Sequence, residues 1–242
     1  MLPYHKHKRS RFSGDFKTLQ DIFDITSEET LWKLIKQGVF EGLEGPLSIG
    51  KEANVFLAIT NEGERRVVKI YRVTTCDFNK MYSYITADPR FPSLHKNRRQ
   101  IVSAWCQREF RNLLKAREAG VRVPTPFAAS NNVLVMEFIG DETAAQKLHT
   151  EAPKNPKAFF EEVVKSMQRL NKAGLVHGDL SPFNILNYNN EPVLIDFSQT
   201  TTRENPNFEE YFDRDIKNVS AYFAKQGVKV TRESLRKLII KS

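Results

Sequence analysis

The spacing of hydrophobic positions predicts a short helix near the amino terminus. The stretch "ITSEETLWKLIKQGVF" places Leu31, Leu34 and Ile35 on one helical face. Thr26 and Glu29 precede this face with the spacing of a capping box, in which each side chain binds the other residue's backbone N–H. We therefore expect the helix to begin at this box.

Alternating apolar residues then predict a small sheet. The stretches "GPLSIGKEANVFLAIT" and "RRVVKIYRV", joined through the turn "NEGE", are typical of three consecutive antiparallel strands. Residues 74–98 contain two prolines and no sustained period, so we expect a long flexible loop there. The amphipathic stretch "RQIVSAWCQREFRNLLKAREAG" predicts a helix that ends at Gly120.

The remaining pattern predicts a hairpin followed by helices. The stretch "PFAASNNVLVMEFIG" predicts two strands that lead to Gly140, which we expect to act as a hinge between lobes. The apolar stripe of "NPKAFFEEVVKSMQRLNKAG" predicts a core helix, and two more helices fit near 206–225 and 231–240. The expected organisation is a basic tail with short helices over 1–44, a sheet-rich lobe over 45–139 and a helical lobe over 140–242.

Composition excludes several classes of protein. A hydrophobic content of 40% can fill a core, and no apolar run is long enough to cross a bilayer. The basic residues near the amino terminus are not followed by the apolar segment of a secretory signal, so we expect a cytoplasmic protein without a membrane partner. Cys76 and Cys106 are too few for a disulfide framework or a four-thiolate zinc site.

The net charge of +8 favours anionic partners. Basic residues concentrate in "HKHKRSR" at 5–11 and in "HKNRR" at 95–99. Each stretch is either a solvated tail or loop, or a patch that contacts phosphate. Charge alone leaves both interpretations open.

Two isolated carboxylates stand on either side of an asparagine in "LVHGDLSPFNILNYNNEPVLIDFS". They are Asp179 and Asp196, and the asparagine is Asn184. A lysine in the predicted strand "VVKIY", Lys69, and a glutamate in the following helix, Glu109, precede them in the chain. This order of residue types is that of a phosphoryl-transfer site.

The chemistry of phosphoryl transfer gives each residue type a role. Lys69 can pair with the α- and β-phosphates of ATP while Glu109 fixes its direction, and Asn184 and Asp196 offer the hard oxygen ligands that Mg²⁺ prefers. Asp179 can orient the attacking hydroxyl or water and accept its proton. Taken singly, an aspartate here is more simply a loop cap and Lys69 a solvated strand residue. Together they form a specific signal.

Three further stretches carry a family resemblance. In "SIGKEANVF" only Gly50 keeps a glycine of the common kinase pattern G-x-G-x-x-G-x-V, and Ser48 and Ala53 replace the flanking glycines. With "DFNKMYSYITADPRF" and "REFRNLLKAREAGVRVPTP", residues 45–235 resemble the RIO family of atypical protein kinases, and within it the type-one subfamily. Members of that subfamily often have alanine in place of Gly178 and glutamate in place of Pro182.

The resemblance implies an α+β, bilobal protein-kinase-like fold. Its N-lobe would be an antiparallel sheet with an αC helix, and its reduced helical C-lobe would lack an activation segment and peptide-binding helices. Backbone groups of Glu137 and Ile139 would meet the adenine edge, with Met136 behind it. The residues expected to hold the nucleotide are Ser48, Gly50, Lys51, Glu52, Ala53, Asn54, Val55, Lys69, Glu109, Met136, Glu137 and Ile139.

The resemblance also implies a serine/threonine kinase or ATPase that uses ATP with Mg²⁺, or with Mn²⁺ as an alternative metal, and phosphorylates itself. It implies maturation of the small ribosomal subunit, with the pre-small-subunit particle and its rRNA as partners, an unidentified protein acceptor, and a phosphoaspartate on Asp196. About 45 residues before the kinase core are too few for the winged helix of type-two members. The lack of long terminal extensions favours an archaeal source.

Two other functions remain open at this point. The "HGDL" motif also resembles aminoglycoside and choline phosphotransferases, which act on small molecules, although only 46 residues follow Asp196 and those enzymes use a larger helical lobe. The protein could also be a non-catalytic, RNA-bound scaffold that binds nucleotide only to stabilise its conformation. The complete set of Lys69, Asp179, Asn184 and Asp196 favours turnover.

Overall fold

A computed structural model of the protein describes residues 24–88, 90–91 and 97–240. The first basic stretch, 5–11, lies outside these residues, as do His95 and Lys96 of the second. The helices of the described part are α1 (Ile25–Lys36), α2 (Phe78–Thr86), α3 (Arg98–Glu118), α4 (Pro156–Lys172), α5 (Phe208–Lys225) and α6 (Arg232–Ile240).

Five antiparallel strands form the main sheet in the order β1-β2-β3-β5-β4. They are β1 (Gly42–Ile49), β2 (Ala53–Ile59), β3 (Arg65–Tyr71), β4 (Pro126–Ser130) and β5 (Val133–Glu137). The central strand β3 places Lys69 opposite Val55 on one side and Leu134 on the other. The three strands and the hairpin predicted from alternation are confirmed, as is the α+β composition.

The sheet packs a helix on each face, because side chains alternate along a strand. On β5, Val133 and Val135 point into a small core that includes Leu31 and Leu34 of α1. Leu134, between them, joins the larger core that contains the buried face of α3. The sheet therefore lies between α1 and α3.

Helix α1 exists as predicted, but the capping box is wrong. The N-cap is Asp24, whose extended backbone (φ −79°, ψ 158°) precedes the first turn. Its Oδ1 accepts the Ser27 N–H at 2.8 Å. Thr26 lies inside the first turn, where its carbonyl accepts the Thr30 hydroxyl at 2.7 Å.

The prediction of a loop over 74–98 is wrong in part, because helix α2 lies within it. Asp77 caps α2 by accepting the Lys80 N–H at 3.0 Å. The helix buries only Met81, Tyr84 and Ile85, and a face this short gives a weak periodic signal. Helix α3 follows and ends as predicted just before Gly120, whose φ of 78° suits glycine.

The rest of the chain is mainly helical, with two small sheets. One sheet has the order β6-β8-β9 and the other pairs β7 with β10. Helix α6 packs against α4 and α5, and both predicted C-terminal helices are confirmed. The short elements are β6 (Gln146–Lys147), β7 (Leu175–Val176), β8 (Ile185–Tyr188), β9 (Glu191–Leu194), a 3₁₀ turn (Phe197–Gln199) and β10 (Thr201–Thr202).

Gly140 lies between β5 and this helical part, with φ of 148°. A Cβ there would lie 2.2 Å from the carbonyl oxygen of Thr143, so no other residue fits this bend without movement. Its role as a hinge stays a prediction. Within the described ranges, no helix is both long enough and apolar enough to cross a membrane.

Candidate active site

Lys69, Glu109 and Asp196 meet between the main sheet and the helical part. The Lys69 Nζ atom donates to both carboxylate oxygens of Glu109 at 2.9 Å and to Asp196 Oδ1 at 3.2 Å. The Tyr71 hydroxyl donates to Glu109 Oε2. Strand β3, helix α3 and the segment after β9 therefore bring together three of the residues predicted for one site.

The charges of this cluster stabilise one another. Burial alone would lower the pKa of Lys69, but the carboxylates of Asp196 and Glu109 outweigh burial and hold that pKa above its ordinary value. Burial would raise the pKa of Asp196, yet the Lys69 charge and a hydrogen bond from Ser198, 2.8 Å long, lower it to about 2. Lys69 and Asp196 are therefore both charged at neutral pH.

Asp196 has a left-handed backbone, with φ of 62° and ψ of 68°. Residues with a Cβ seldom adopt this conformation, which costs roughly 1–2 kcal/mol, and aspartate is among the few that visit it. Such strain persists where the surrounding structure imposes it, often at functional sites. In this conformation the Asp196 carboxylate accepts a hydrogen bond from Lys69.

Asp179 lies in the loop that follows β7 and is held by amide groups. Asn184 Nδ2 donates to the Asp179 carbonyl oxygen at 2.8 Å and to its Oδ2 at 3.3 Å. Gln199 Nε2 donates to the same Oδ2 at 3.1 Å. Burial, and then the negative charge of Asp196, raise the pKa of Asp179 above its ordinary value.

A buried carboxylate on α5 fixes the backbone of this loop. Asp215 accepts the Leu180 N–H at 2.7 Å and the Gly178 N–H at 2.9 Å, and burial raises the pKa of Asp215 to about 7. His177 Nε2 donates to the Ile195 carbonyl at 3.0 Å, and burial lowers the pKa of His177 to about 4. The histidine is therefore neutral and connects the two segments that carry Asp179 and Asp196.

The oxygen donors of the site suit a nucleotide-bound magnesium ion. Asn184 uses its Nδ2 on Asp179, which leaves its Oδ1 for a cation, and Asp196 directs Oδ1 at Lys69, which leaves Oδ2. The described residues include no group of three or more His, Cys, Asp or Glu side chains that could hold a metal alone. Mg²⁺ commonly takes one or two protein oxygens and completes its octahedron with phosphates and water, so the donor set fits.

The turn between β1 and β2 carries the predicted phosphate loop. The Gly50 N–H donates to the Ala53 carbonyl at 3.1 Å, and a Cβ on Gly50 would lie 3.0 Å from that oxygen. The Lys51 carbonyl accepts the Thr75 hydroxyl at 2.7 Å, and the Glu52 carbonyl accepts the Arg72 N–H at 2.9 Å. The N–H groups of Lys51 and Glu52 are thus the ones left to face phosphate, since the Gly50 N–H is already used.

The strands beside this turn hold the other predicted residues of the loop. Ser48 on β1 lies opposite Val55 on β2. Asn54 is buried, and its Oδ1 has no hydrogen-bond partner in the part of the chain that the structure describes.

The backbone after β5 has the groups that adenine would need. The Glu137 N–H donates to the Thr125 carbonyl at 2.8 Å, and the Ile139 carbonyl accepts the Ala145 N–H at 2.9 Å. These contacts leave the Glu137 carbonyl and the Ile139 N–H to pair with a base. Met136 is partly buried against the larger core, behind this edge.

The two described arginines of the second basic stretch make internal contacts. Arg98 Nη1 donates to the carbonyls of Val73 and Thr74, both at 3.1 Å, and its guanidinium lies 5.1 Å from the Phe78 ring centroid. Arg99 pairs with Asp24 at 3.5 Å. These side chains therefore join α3 to the segment before α2 and to α1.

Sequence reasoning missed several residues that shape the site: Tyr71, Tyr84, Ser198, Gln199 and Asp215. A signal existed for Asp215, which stands on the apolar face of α5 between the buried Phe212 and Ile216. A carboxylate on an apolar face is rarely buried without partners. For Tyr84 and Gln199, whose contacts join distant parts of the chain, the sequence carries no comparable signal.

Comparisons with known proteins agree with this geometry. A family model described as the RIO domain matches residues 54–237. The chain is 41% identical over 232 residues to the RIO-type serine/threonine-protein kinase Rio1 of Haloferax volcanii, covering 96% of this chain and 80% of that protein. It is 39% identical to the protein of the same name from Methanocaldococcus jannaschii, with the same two coverages. The human serine/threonine-protein kinase RIO1 is 33% identical, and the chain covers 40% of its length.

Solved structures share the fold. The chain aligns with the crystal structure of a Rio2 kinase–ADP/Mg²⁺–phosphoaspartate complex from Chaetomium thermophilum at a TM-score of 0.68 and 22% identity, covering 87% of this chain and 64% of that one. A second Rio2 kinase structure from the same organism gives 0.66 at 22% identity, with 86% and 66% covered. The predicted protein-kinase-like fold is confirmed.

Proposed function

The chain belongs to the RIO family of serine/threonine-protein kinases, and from this premise we propose that it transfers the γ-phosphoryl group of ATP in a Mg²⁺-dependent reaction. The observation that carries the proposal is the simultaneous contact of Lys69 with Glu109 and Asp196. This contact joins a strand, a helix and the metal-ligand segment in the arrangement that phosphoryl transfer requires.

Each residue then has a defined task. Lys69 would exchange part of its contact with Asp196 for the α- and β-phosphates, while Glu109 keeps it in place. Asn184 Oδ1 and Asp196 Oδ2 would hold Mg²⁺, which supplies positive charge to the phosphates when bound. Asp179 would orient the acceptor hydroxyl or water and accept its proton, a task for which a pKa raised toward neutrality is an advantage.

Two aspartate variants test the proposal by separating chemistry from binding. Asp179→Ala should reduce phosphoryl transfer by about 10²–10⁴-fold and largely spare ATP affinity, because Asp179 faces the acceptor. Asp196→Ala should weaken Mg²⁺-dependent ATP binding, because Asp196 faces the metal. Calorimetry with ATP, with and without Mg²⁺, and a phosphate-release assay measure the two effects.

Three results would count against these roles. An absence of ATP binding in the presence of Mg²⁺ would reject a nucleotide site. Equal loss of ATP affinity in both variants would show that the two roles are wrongly assigned. Binding of ATP with phosphate release no faster than that of Asp179→Asn would instead favour the non-catalytic scaffold.

We further propose that Asp196 itself accepts the phosphoryl group. An oxygen of its carboxylate would attack the γ-phosphorus and ADP would leave. Asp179 would then take the proton of the water that hydrolyses the acyl phosphate. A related Rio2 kinase is described as a phosphoaspartate complex, which supports this step for the family. Label from γ-labelled ATP should be released by hydroxylamine. Label that resists hydroxylamine would place the phosphoryl group on a hydroxyl, as in serine or threonine autophosphorylation.

The biological role that we propose is maturation of the small ribosomal subunit in the cytoplasm, with the pre-small-subunit particle and its rRNA as partners. The support is family membership and the net charge of +8. Arg99 is the more suitable described candidate for a phosphate contact, because its side chain is 56% exposed whereas Arg98 is held by two carbonyls.

Salt dependence tests this partner. Binding to pre-ribosomal RNA should weaken steeply as salt rises, because phosphate contacts release counterions. Replacing Lys96, Arg98 and Arg99 with alanine should reduce the slope of log affinity against log salt concentration by about one for each phosphate contact that is lost. Alanine at Lys165 and Lys172 of α4 provides a control that removes charge from another surface. Unchanged affinity and slope in the triple variant would show that the partner is recognised elsewhere.

A further inference from the structure

Two amide donors hold one oxygen of Asp179, and one of them comes from outside the catalytic loop. Asn184 Nδ2 lies 3.3 Å from Asp179 Oδ2, and Gln199 Nε2 lies 3.1 Å from it. With Oδ2 occupied by two donors, Oδ1 is the oxygen left to take a proton from an acceptor hydroxyl. The direction of the proposed base therefore depends on the amide of Gln199.

Tyr84, on helix α2, fixes which way that amide points. The Tyr84 hydroxyl donates to Gln199 Oε1 at 2.9 Å and accepts from Arg214 Nη2 at 3.1 Å. A guanidinium can only donate, so the hydroxyl proton of Tyr84 is directed at the Gln199 oxygen. The Gln199 nitrogen then faces Asp179, at the end of a chain of donors that begins at Arg214.

The members of this chain are held rigidly by the core. Tyr84 is buried, stacks on Tyr211 with 5.3 Å between ring centroids, and meets Trp105 edge-on at 5.7 Å. Gln199 is buried too, and both ends of its amide are hydrogen-bonded, the oxygen to Tyr84 and the nitrogen to Asp179. Packing and these bonds hold both side chains in one orientation, which is what a positioning contact requires.

We propose that Gln199 is a positioning residue for the catalytic base, and that Tyr84 sets the orientation of its amide. Helix α2 thereby determines how the Asp179 carboxylate is oriented, although this helix is distant from Asp179 in the sequence. The inference rests on the function proposed above, because it gives Asp179 the role of proton acceptor.

The sharpest test is Gln199→Glu, which keeps the size of the side chain. One carboxylate oxygen can still accept from Tyr84, while the other places negative charge beside Asp179. A carboxylate has no donor for Asp179 Oδ2, so the base loses this hydrogen bond and meets a repelling charge instead. The kcat should fall about tenfold or more while the KM for ATP stays unchanged. A purely structural role would instead lower the melting temperature and leave kcat unchanged at temperatures where the protein is folded.

Tyr84→Phe is the second variant. Without the hydroxyl, the Gln199 amide can turn and present its oxygen to Asp179, so kcat should fall about three- to tenfold. The KM for ATP should stay unchanged, because the hydrogen bonds of Tyr84 and Gln199 reach no residue assigned to the nucleotide or the metal. Matched controls are Tyr222→Phe, which removes a hydroxyl bound to the Leu148 carbonyl at 2.9 Å, and Gln168→Glu, which replaces an amide bound to the Leu238 carbonyl at 2.8 Å.

The outcomes separate this inference from the function beneath it. If the wild-type protein transfers phosphate and Asp179→Asn does not, an unchanged kcat in both Gln199→Glu and Tyr84→Phe overturns the positioning role alone. A rise in KM for ATP without a fall in kcat also overturns it. A wild-type protein that transfers no phosphate overturns the proposed function, and the positioning role with it.

Discussion

Arg108 and Glu109 are neighbours on α3, both are wholly buried, and each belongs to a charge cluster of a different kind. Glu109 binds Lys69, which in turn reaches Asp196, whose side chain is 41% exposed. Arg108 Nε donates to Asp88 Oδ2 at 3.0 Å, and the Asp88 side chain is 1% exposed. We call the first the open cluster, because Asp196 is accessible to solvent, and the second the closed cluster, because Asp88 is not.

The two clusters also differ in net charge. In the open cluster, one cation faces the two carboxylates of Glu109 and Asp196, so negative charge is in excess at an accessible oxygen. In the closed cluster, Arg108 and Arg90 share Asp88, and the excess positive charge meets fixed oxygens: the Thr200 carbonyl, 3.1 Å from Arg108, and the Asn112 side-chain oxygen, 2.9 Å from Arg90. Arg108 Nη1 is buried without a partner among the described residues.

The pKa shifts follow this balance. Burial lowers the pKa of Arg108 to about 10, because Asp88 offsets burial only in part and Arg90 repels it. The pKa of Lys69 is instead held above its ordinary value by two carboxylates. In the closed cluster, residues of the protein itself surround the charges. In the open cluster, the excess negative charge is accessible to solvent and can be neutralised by a cation that binds from solution. We infer from this contrast that the open cluster binds ligand and the closed one maintains the fold.

The largest effect expected from this contrast is on catalysis by Lys69→Met. Phosphoryl transfer should fall by about 10²–10³-fold, because a fixed cation at the phosphates is lost. Stability should fall as well, because Glu109 is left buried without its cation, but its bond from Tyr71 and the exposure of Asp196 should let the protein stay folded at the assay temperature. A phosphate-release assay and a thermal melt measure these effects, and an active Lys69→Met protein would contradict the role of the open cluster.

The next effect is on stability in Arg108→Met. Removing one partner of a buried pair should lower the free energy of unfolding by about 3–5 kcal/mol, measured by urea denaturation. Well below the unfolding temperature, ATP affinity should stay close to that of the wild-type protein. A stable Arg108→Met protein with impaired ATP binding would reverse the assignment of the two clusters.

Acid should weaken both clusters, and the two variants show which carboxylate is responsible. Lys69 lowers the pKa of Asp196 to about 2, and Arg90 and Arg108 lower that of Asp88. Folded-state values below the unfolded value of roughly 3.9 give stability that is present above pH 4 and is lost as pH falls toward the folded value.

Unfolding free energies measured from pH 5 down to pH 2 should therefore fall less steeply in both variants than in the wild-type protein. The part of this difference due to Asp196 should disappear in Lys69→Met, and the part due to Asp88 should shrink in Arg108→Met. Parallel curves for all three proteins would contradict these pKa directions.

The smallest effect should come from Tyr71→Phe. It removes one hydrogen bond to Glu109 and should lower the free energy of unfolding by about 1 kcal/mol. Lys69 still holds both oxygens of Glu109 at 2.9 Å, so phosphoryl transfer should stay within about twofold of wild type. A much larger loss of activity would make the Tyr71 hydroxyl part of the active site.

The sequence predicted the open cluster far better than the closed one, for a physical reason. Phosphoryl transfer demands particular residue types in a particular order, so Lys69, Asp179, Asn184 and Asp196 could be selected without coordinates. The strands and long helices could be predicted equally well, because the period of hydrophobic residues shows which face of each element is buried.

The closed cluster had no such signal. Arg108 interrupts the apolar face of α3, and its partner Asp88 lies in a segment whose polar residues predicted a loop. The contact of Gln199 with Asp179 joins a residue of the "HGDL" motif to one that belongs to no motif. Such contacts depend on how elements pack, and packing follows from tertiary geometry that local patterns do not encode.

Helix α3 is also anchored in the helical part of the chain, which bears on how the site could be inhibited. Asn112 Nδ2 donates to the carbonyls of Phe197 and Thr200, both at 2.9 Å, and Arg108 donates to Thr200 as well. A compound that swings α3 outward to separate Glu109 from Lys69 would have to expose these buried donors and acceptors, each at a penalty of about 1–3 kcal/mol. Screening for ligands of this protein should therefore favour chemotypes that occupy the adenine edge with α3 in place over those that need the helix displaced.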